Sequence, residues 1–254
     1  MTLDWPHARQ AFAEYTSHYN AADPKVKLKI DHTYRVAALC ERIANSLSLS
    51  PQDVDLAWLC GLLHDVGRFE QLRRYGTFID AQSIDHALMS VTVLFEEGRL
   101  RDYIAGTDED ALLRTAIRLH NAYRLPEELD DRTRMFCQIL RDADKIDILR
   151  VNVETPMEQI YNVSTEALRQ SPVSPAVLDA FYEHHCVLRT LNHYPADNAV
   201  GHASFVFELC YPESLRAVAE QGWLWKLLDF KTENPDTAKA FAGMKAEMQR
   251  WLEE

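Results

Sequence analysis

The 254-residue sequence is poor in the features that mark strands, tight turns and covalent cross-links. It has only 8 glycines and 10 prolines, and β-branched residues rarely alternate with polar ones as they do in half-buried strands. Its 5 cysteines are odd in number and widely spaced, with no CxxC pair, which predicts buried thiols in a reducing compartment rather than a disulfide framework. Neither a GxSxG nor a GxxxxGK[ST] motif is present, which excludes α/β-hydrolases and P-loop enzymes.

Positive charge and long apolar runs are also scarce. The chain has 27 Lys and Arg against 39 Asp and Glu, a net charge of −12. Such a surface repels polyanions, so we expect no extended nucleic acid and no membrane as a partner. No stretch approaches the roughly 20 apolar residues of a membrane span, and the opening segment MTLDWPHARQ contains no apolar run typical of a signal peptide. These absences predict a cytoplasmic protein.

Apolar residues instead recur at three- and four-residue spacing along most of the chain, which predicts an all-α fold. The predicted helix starts are Pro24, Ser50 with Pro51, Ser83, Thr107, about Asp131, and Asn234 with Pro235. The least regular stretch runs from Arg150 to Pro175. We therefore predict an N-terminal helix over 1–24, a helical core over 25–155, and a helical C-terminal extension over 156–254 that packs on the core within a single structural domain.

Five of the predicted helices each direct an ionisable side chain toward the core. These side chains are His32, His64 with Asp65 beside it, His86, His120 and Asp144. Each must find a partner, because burying such a group alone is unfavourable, and a single inward histidine is typical of a hydrogen-bonded core residue. Taken together, four histidines and two aspartates match the ligand set of a transition-metal site between facing helices. The imidazoles suit iron, manganese, nickel, cobalt or zinc better than magnesium or calcium.

Four short motifs carry a resemblance to a known family. The order of His32, the HD pair in GLLHDVGRFE, and Asp144 in LRDADKIDIL resembles the HD-domain superfamily of metal-dependent phosphohydrolases. The histidines of SIDHALMSV and IRLHNAYRLP match the form of that superfamily that holds two metals. The resemblance covers about residues 25–150 and implies an HD-domain helical bundle.

The resemblance also implies a ligand set and a reaction. The first metal would be bound by His32, His64, Asp65 and Asp144. Asp65 would bridge to a second metal held by His86 and His120. The cofactors implied are one or two divalent transition metals (Fe, Mn, Ni, Co or Zn), and the substrate is a small phosphorylated molecule, with nucleotides among the candidates. The activity implied is cleavage of a phosphoester by a metal-bound hydroxide.

We predict that Asp65, Arg68 and Lys145 act directly in catalysis. Arg68 lies three residues past Asp65, and Lys145 adjoins a predicted metal ligand, so both are candidates to bind phosphate oxygens. The alternative for each is an exposed cation near a helix end. The segment RFEQLRRYGTFID, with Arg73 and Arg74, is predicted to form a loop that walls the pocket, the alternative being a solvated basic surface.

Two other functions share this ligand set. One is a di-iron oxygenase on the HD scaffold, which would cleave a C–C or C–P bond, and the sequence does not separate it from a hydrolase. The other is a non-catalytic nucleotide-binding regulatory module. The intact set of ligands disfavours this second alternative.

Overall fold

A computed structural model describes residues 3–161 and 163–253 of the chain, and these ranges contain helices but no strand. The all-α fold predicted from the apolar periodicity is therefore confirmed. The chain divides into two compact units, Met1–Asp144 and Lys145–Glu254. No helix in the described ranges is long and apolar enough to cross a membrane.

The described part of the first unit contains six α-helices and the greater part of a seventh. They are α1 (Trp5–Ser17), α2 (Pro24–Ser46), α3 (Pro51–Leu63), α4 (Val66–Tyr75), α5 (His86–Val91) and α6 (Asp110–Leu119), followed by α7 (Asp131–Glu154), which runs through the unit boundary. The side chain of Ser50 accepts a hydrogen bond from the first turn of α3, as the sequence predicted, and the side chain of Asp23 does the same for α2, which begins at the predicted Pro24. A π-helix, Thr92–Glu96, continues α5.

Two predicted helix starts are wrong. Helix α5 begins at His86, where the carboxylate of Asp85 accepts hydrogen bonds from two backbone N–H groups. Ser83 instead donates its hydroxyl to the carbonyl of Ile79, outside the helix. Helix α6 begins at Asp110, three residues after Thr107, and Glu109 directly precedes its first turn. In both cases an acidic residue nearer the apolar stripe precedes the first helical turn.

Two glycines allow pairs of helices to approach closely in the first unit. A Cβ added at Gly61 in α3 would lie 2.6 Å from the Cα of Ala37 in α2. A Cβ added at Gly67 in α4 would lie 2.3 Å from the backbone nitrogen of Ser90 in α5. The N–H of Gly67 donates to the Ser90 hydroxyl at 2.9 Å. Any larger residue would force these backbones apart, so the glycines determine how closely the helices that carry the candidate ligands can pack.

The second unit is also helical. After the end of α7 it contains α8 (Met157–Tyr161), α9 (Thr165–Gln170), α10 (Pro175–Tyr182), α11 (Asp197–Ala203), α12 (Pro212–Gln221), α13 (Trp223–Leu228) and α14 (Pro235–Glu253). The buried carboxylate of Asp197 accepts hydrogen bonds from the N–H and hydroxyl of Ser174 and from the N–H groups of His193 and Tyr194. This carboxylate satisfies backbone donors that would otherwise be costly to bury. The predicted packing of a C-terminal extension on the core stays a prediction.

The cysteines follow the expectation with one exception. All five lie in the described ranges and none forms a disulfide. Cys40, Cys60, Cys137 and Cys186 are buried, but Cys210 is exposed. The prediction of buried thiols is therefore wrong for Cys210, which lies between two helices of the second unit.

Candidate metal centre

The first unit brings the six predicted ligand side chains to one place. They come from the face of α2 (His32), the junction of α3 and α4 (His64 and Asp65), the first residue of α5 (His86), the residue after α6 (His120) and the middle of α7 (Asp144). The four histidines and Asp65 are buried, and the side chain of Asp144 is 14% exposed. Helix ends supply most of these positions, because a side chain there can reach the space between helices.

The carboxylate of Asp65 lies at the middle of the cluster, and its two oxygens face different histidines. Oδ2 lies 3.6 Å from Nε2 of His32 and 3.4 Å from Nε2 of His64. Oδ1 lies 3.8 Å from Nε2 of His86 and 3.8 Å from Nε2 of His120. Asp65 is thus shared between two pairs of imidazoles.

Asp144 belongs with the first of these pairs. Its Oδ1 lies 3.1 Å from Nε2 of His32 and 3.8 Å from Nε2 of His64. Burial alone would raise the pKa of Asp144, but the hydrogen bond from His32 and the nearby His64 lower it below its ordinary value. Asp144 therefore contributes a negatively charged oxygen to this half of the cluster.

Three of the histidines present the same nitrogen to the cluster. Nδ1 of His64 lies 2.7 Å from the carbonyl of Gly61, and Nδ1 of His120 lies 2.7 Å from the carbonyl of Ile117. Nδ1 of His86 lies 2.6 Å from a carboxylate oxygen of Asp80. Each partner only accepts, so each Nδ1 carries a hydrogen, and in the neutral imidazole the Nε2 atom then presents a lone pair to the cluster. This arrangement is typical of metal-binding histidines.

The nitrogen and oxygen atoms of the cluster that carry lone pairs fit a bound cation. The Nε2 atoms of His86 and His120 are 3.0 Å apart, and burial lowers the pKa of both, that of His120 to about 3, so at neutral pH two lone pairs face each other. Nε2 of His64 and Oδ1 of Asp65 are buried and accept no hydrogen bond. Lone pairs left in this way are unfavourable in a protein interior, and a divalent transition metal would satisfy them.

Within the described ranges, two groups of three residues in the cluster have ligand atoms within 4.8 Å of one another. They are the group of His32, His64 and Asp144 and the group of His64, Asp65 and His120. A third such group, Asp80, Asp85 and His86, lies at its edge. The chain thus holds enough donors for at least one divalent ion, in agreement with the cofactor class predicted from the sequence.

Arg68 lies beside the cluster. Its Nη1, which carries two hydrogens, lies within hydrogen-bonding distance of three acceptors: Oε1 of Gln71 at 2.8 Å, the carbonyl of Phe78 at 2.7 Å and Oδ1 of Asp80 at 3.0 Å. Its Nε lies 3.6 Å from Oδ1 of Asp65. The guanidinium is thus bound by Gln71 of α4 and by the segment between α4 and α5, and it brings positive charge next to the shared carboxylate.

Three other predicted cations have partners elsewhere. The ammonium of Lys145 lies 3.0 Å from Glu208 in the second unit, and its role toward substrate stays a prediction. The prediction of a loop around Arg73 and Arg74 is wrong, because both lie in the last turn of α4. Their guanidinium groups donate to the carboxylate of Glu70, one helical turn earlier, and such local pairs favour the helix.

Two charged residues at the cluster, Lys29 and Asp80, were not predicted from the sequence. Nζ of Lys29 lies 2.6 Å from Oδ2 of Asp65. Burial alone would raise the pKa of Asp65, but Lys29 and the neighbouring His64 hold it well below its ordinary value. The second of these residues is Asp80, whose carboxylate binds His86. The position of Lys29, three residues before His32 on the same helix face, was a signal available in the sequence. Asp80 lies in a short 3₁₀ turn, where no apolar periodicity reveals the direction of a side chain.

Asp80→Ala is expected to weaken metal binding by about 10- to 100-fold, because the carboxylate that orients a ligand is lost. The variant removes the acceptor of the His86 Nδ1–H and one partner of Arg68. The measurement is a calorimetric titration with Mn²⁺. Asp80→Asn keeps an oxygen that can accept from Nδ1 and should recover most of the affinity. An unchanged affinity in Asp80→Ala would contradict the role of Asp80 in orienting His86.

Residues 30–149 match the family model of the HD domain. All six residues of the cluster lie inside this range. No curated protein and no solved structure matches the chain.

Proposed function

Residues 30–149 are an HD domain, and from this premise we propose that the protein is a phosphohydrolase that uses divalent metal to cleave a small phosphoester. The HD domain is characteristic of a superfamily of metal-dependent phosphohydrolases. The observation that carries the proposal is the position of Asp65, whose two oxygens face two separate pairs of imidazole nitrogens. A carboxylate shared in this way suits a centre of two cations.

The residues proposed to hold the metal fall into two sets that share Asp65. The first set is His32, His64, Asp65 and Asp144, and the second is Asp65, His86 and His120. When bound, divalent cations lower the pKa of a water molecule and stabilise negative charge that develops on phosphoryl oxygens. In the overall reaction the water oxygen bonds to phosphorus, the ester P–O bond breaks, and the leaving oxygen takes up a proton.

The protein contributes an environment that is arranged in advance. The Nδ1 hydrogen bonds of His64, His86 and His120 fix the ring orientations before any substrate arrives. The guanidinium of Arg68 is held beside Asp65 by three acceptors. A positive charge that needs no reorganisation stabilises an anionic transition state most effectively. We therefore propose Arg68 as an electrostatic residue of the reaction and retain Lys145 as a candidate for contact with phosphate.

The test combines metal analysis with an activity screen. Wild-type protein and His64→Ala are purified without added metal, and bound transition metals are measured by elemental analysis. Both are then loaded with Mn²⁺, Fe²⁺, Co²⁺ or Ni²⁺ and assayed for phosphate release from phosphomonoesters, nucleotides and cyclic nucleotides. We expect metal and activity in the wild type and neither in His64→Ala.

Three outcomes would contradict the proposal. Equal traces of metal in both proteins would exclude the metal centre. Confirmed metal with no phosphoester hydrolysis across the panel would exclude the proposed reaction. Oxygen consumption with a diol or hydroxyphosphonate, together with a mixed-valent iron signal, would instead assign an oxygenase.

A further inference from the structure

Lys29 places a positively charged group inside the candidate metal centre. It lies in α2 one helical turn before His32, and its Nζ is 2.6 Å from Oδ2 of Asp65. The Lys29 side chain is 17% exposed and that of Asp65 only 3%. The ring of Phe78 lies 5.9 Å from the ammonium. The pair is therefore well shielded from water. In such a partly buried position the attraction between opposite charges is stronger than in bulk water.

The oxygen that Lys29 binds is the one that faces the first group of ligands. Oδ2 of Asp65 is the oxygen nearest to Nε2 of His32 and Nε2 of His64, whereas Oδ1 faces the other two histidines. An ammonium group only donates hydrogen bonds and cannot act as a ligand while protonated. A divalent cation that takes Oδ2 as a ligand must therefore displace Lys29 or remain close to its positive charge.

Both possibilities oppose metal binding. Displacement costs the attraction of a buried ion pair, and coexistence adds repulsion between two cations a few ångströms apart. In the absence of metal the same ammonium is favourable, because a buried carboxylate without a cation destabilises the fold. Lys29 thus has opposite effects on the metal-free and the metal-loaded protein.

We propose that Lys29 competes with the metal for Asp65, stabilising the metal-free centre and lowering its affinity for divalent cations. The inference rests on the metal-binding part of the proposed function. It predicts a centre that remains folded without metal and takes up and releases metal reversibly.

The test is a calorimetric titration of Mn²⁺ into the metal-free protein, with thermal unfolding measured before and after saturation. Lys29→Gln keeps a polar side chain and removes the charge, and Lys29→Arg keeps the charge. Lys27→Gln is the matched control, because Lys27 lies in the same helix with its side chain 70% exposed. We expect Lys29→Gln to bind Mn²⁺ about tenfold more tightly, an order-of-magnitude figure for a nearby charge at partial burial.

Lys29→Gln should lower the unfolding temperature of the metal-free protein and increase the stabilisation that Mn²⁺ provides. Metal-free Lys29→Gln should unfold at a lower temperature than the wild type. Saturation with Mn²⁺ should raise the unfolding temperature of Lys29→Gln by more than it raises that of the wild type. Lys29→Arg and Lys27→Gln should both resemble the wild type. Unchanged or weaker Mn²⁺ binding in Lys29→Gln would overturn the proposal, whereas a wild type that binds no metal would overturn the proposed function itself.

A measurement on the wild type applies if Lys29→Gln does not fold. The rate at which an amine-selective acylating reagent modifies Lys29 is followed by peptide mass spectrometry, with Lys27 as the internal reference. Saturating Mn²⁺ should increase the rate at Lys29 and leave the rate at Lys27 unchanged, because displacement frees the ammonium from its ion pair. A rate at Lys29 that stays constant or falls would overturn the proposal.

Discussion

Asp65→Asn is expected to leave the protein folded but unable to retain metal. The amide has the size of the carboxylate, yet it carries no negative charge, and one of its two ends becomes a donor that cannot bind a cation. Lys29 and Arg68 lose their shared counter-ion, but the amide oxygen still accepts a hydrogen bond and Arg68 keeps the carboxylate of Asp80 as a partner. We expect metal content below about a tenth of the wild-type value, since both groups of ligands depend on this residue.

Elemental analysis and the Mn²⁺-induced rise in unfolding temperature measure this loss. Asp31→Asn is the matched control, because Asp31 lies in α2 with its side chain 46% exposed and is bound to Lys27. Phosphoester hydrolysis, once a substrate is identified, should fall in parallel with the metal content. If Asp65→Asn retained a full complement of metal, the shared position of Asp65 would have no role in binding.

Gly67→Ala is expected to have the second large effect, on both folding and the metal centre. The added Cβ would lie 2.3 Å from the nitrogen of Ser90, 2.6 Å from the carbonyl carbon of Met89 and 2.8 Å from the carbonyl oxygen of His86. All three are backbone atoms, so no side-chain rotation relieves the overlap and α5 must move. We expect a loss of about 2–3 kcal/mol in the free energy of unfolding, as for an overpacked core, together with displacement of His86.

Urea denaturation measures the stability, and Mn²⁺ titration measures the effect on the centre. Gly106→Ala is the control, because no atom lies within 4 Å of the added Cβ and the backbone there is not left-handed. This control should match the wild type in both measurements. Wild-type stability in Gly67→Ala would mean that α4 and α5 can separate without cost.

The sequence predicted the six side chains of the cluster more completely than the residues that contact them. His32 and His120 share faces with apolar residues of α2 and α6, so helical periodicity was enough to place them in the interior. The contact between Asp80 and His86 arises from a 3₁₀ turn and a short connection. Such a segment has no repeating pattern from which the direction of a side chain can be calculated.

The error at α4 has a different cause. The segment RFEQLRRYGTFID is predicted to form a loop between two ligand-bearing helices, whereas Arg73 and Arg74 lie in the last turn of α4. Gly76 does end the helix, in the left-handed conformation with φ 69°, as glycine often does. The carboxylate of Glu70, three and four residues earlier, binds both guanidinium groups. That spacing is visible in the sequence and favoured a helix through Tyr75.

His64 and His120 occupy the same position on different helices, each directly after the last helical residue. The C-terminal ends of α3 and α6, with their partial negative charge, therefore lie at the cluster, as do the N-terminal ends of α4 and α5, with their partial positive charge. These opposite partial charges offset one another and do not distinguish one divalent ion from another. Discrimination among manganese, iron and cobalt then falls to the imidazole and carboxylate donors.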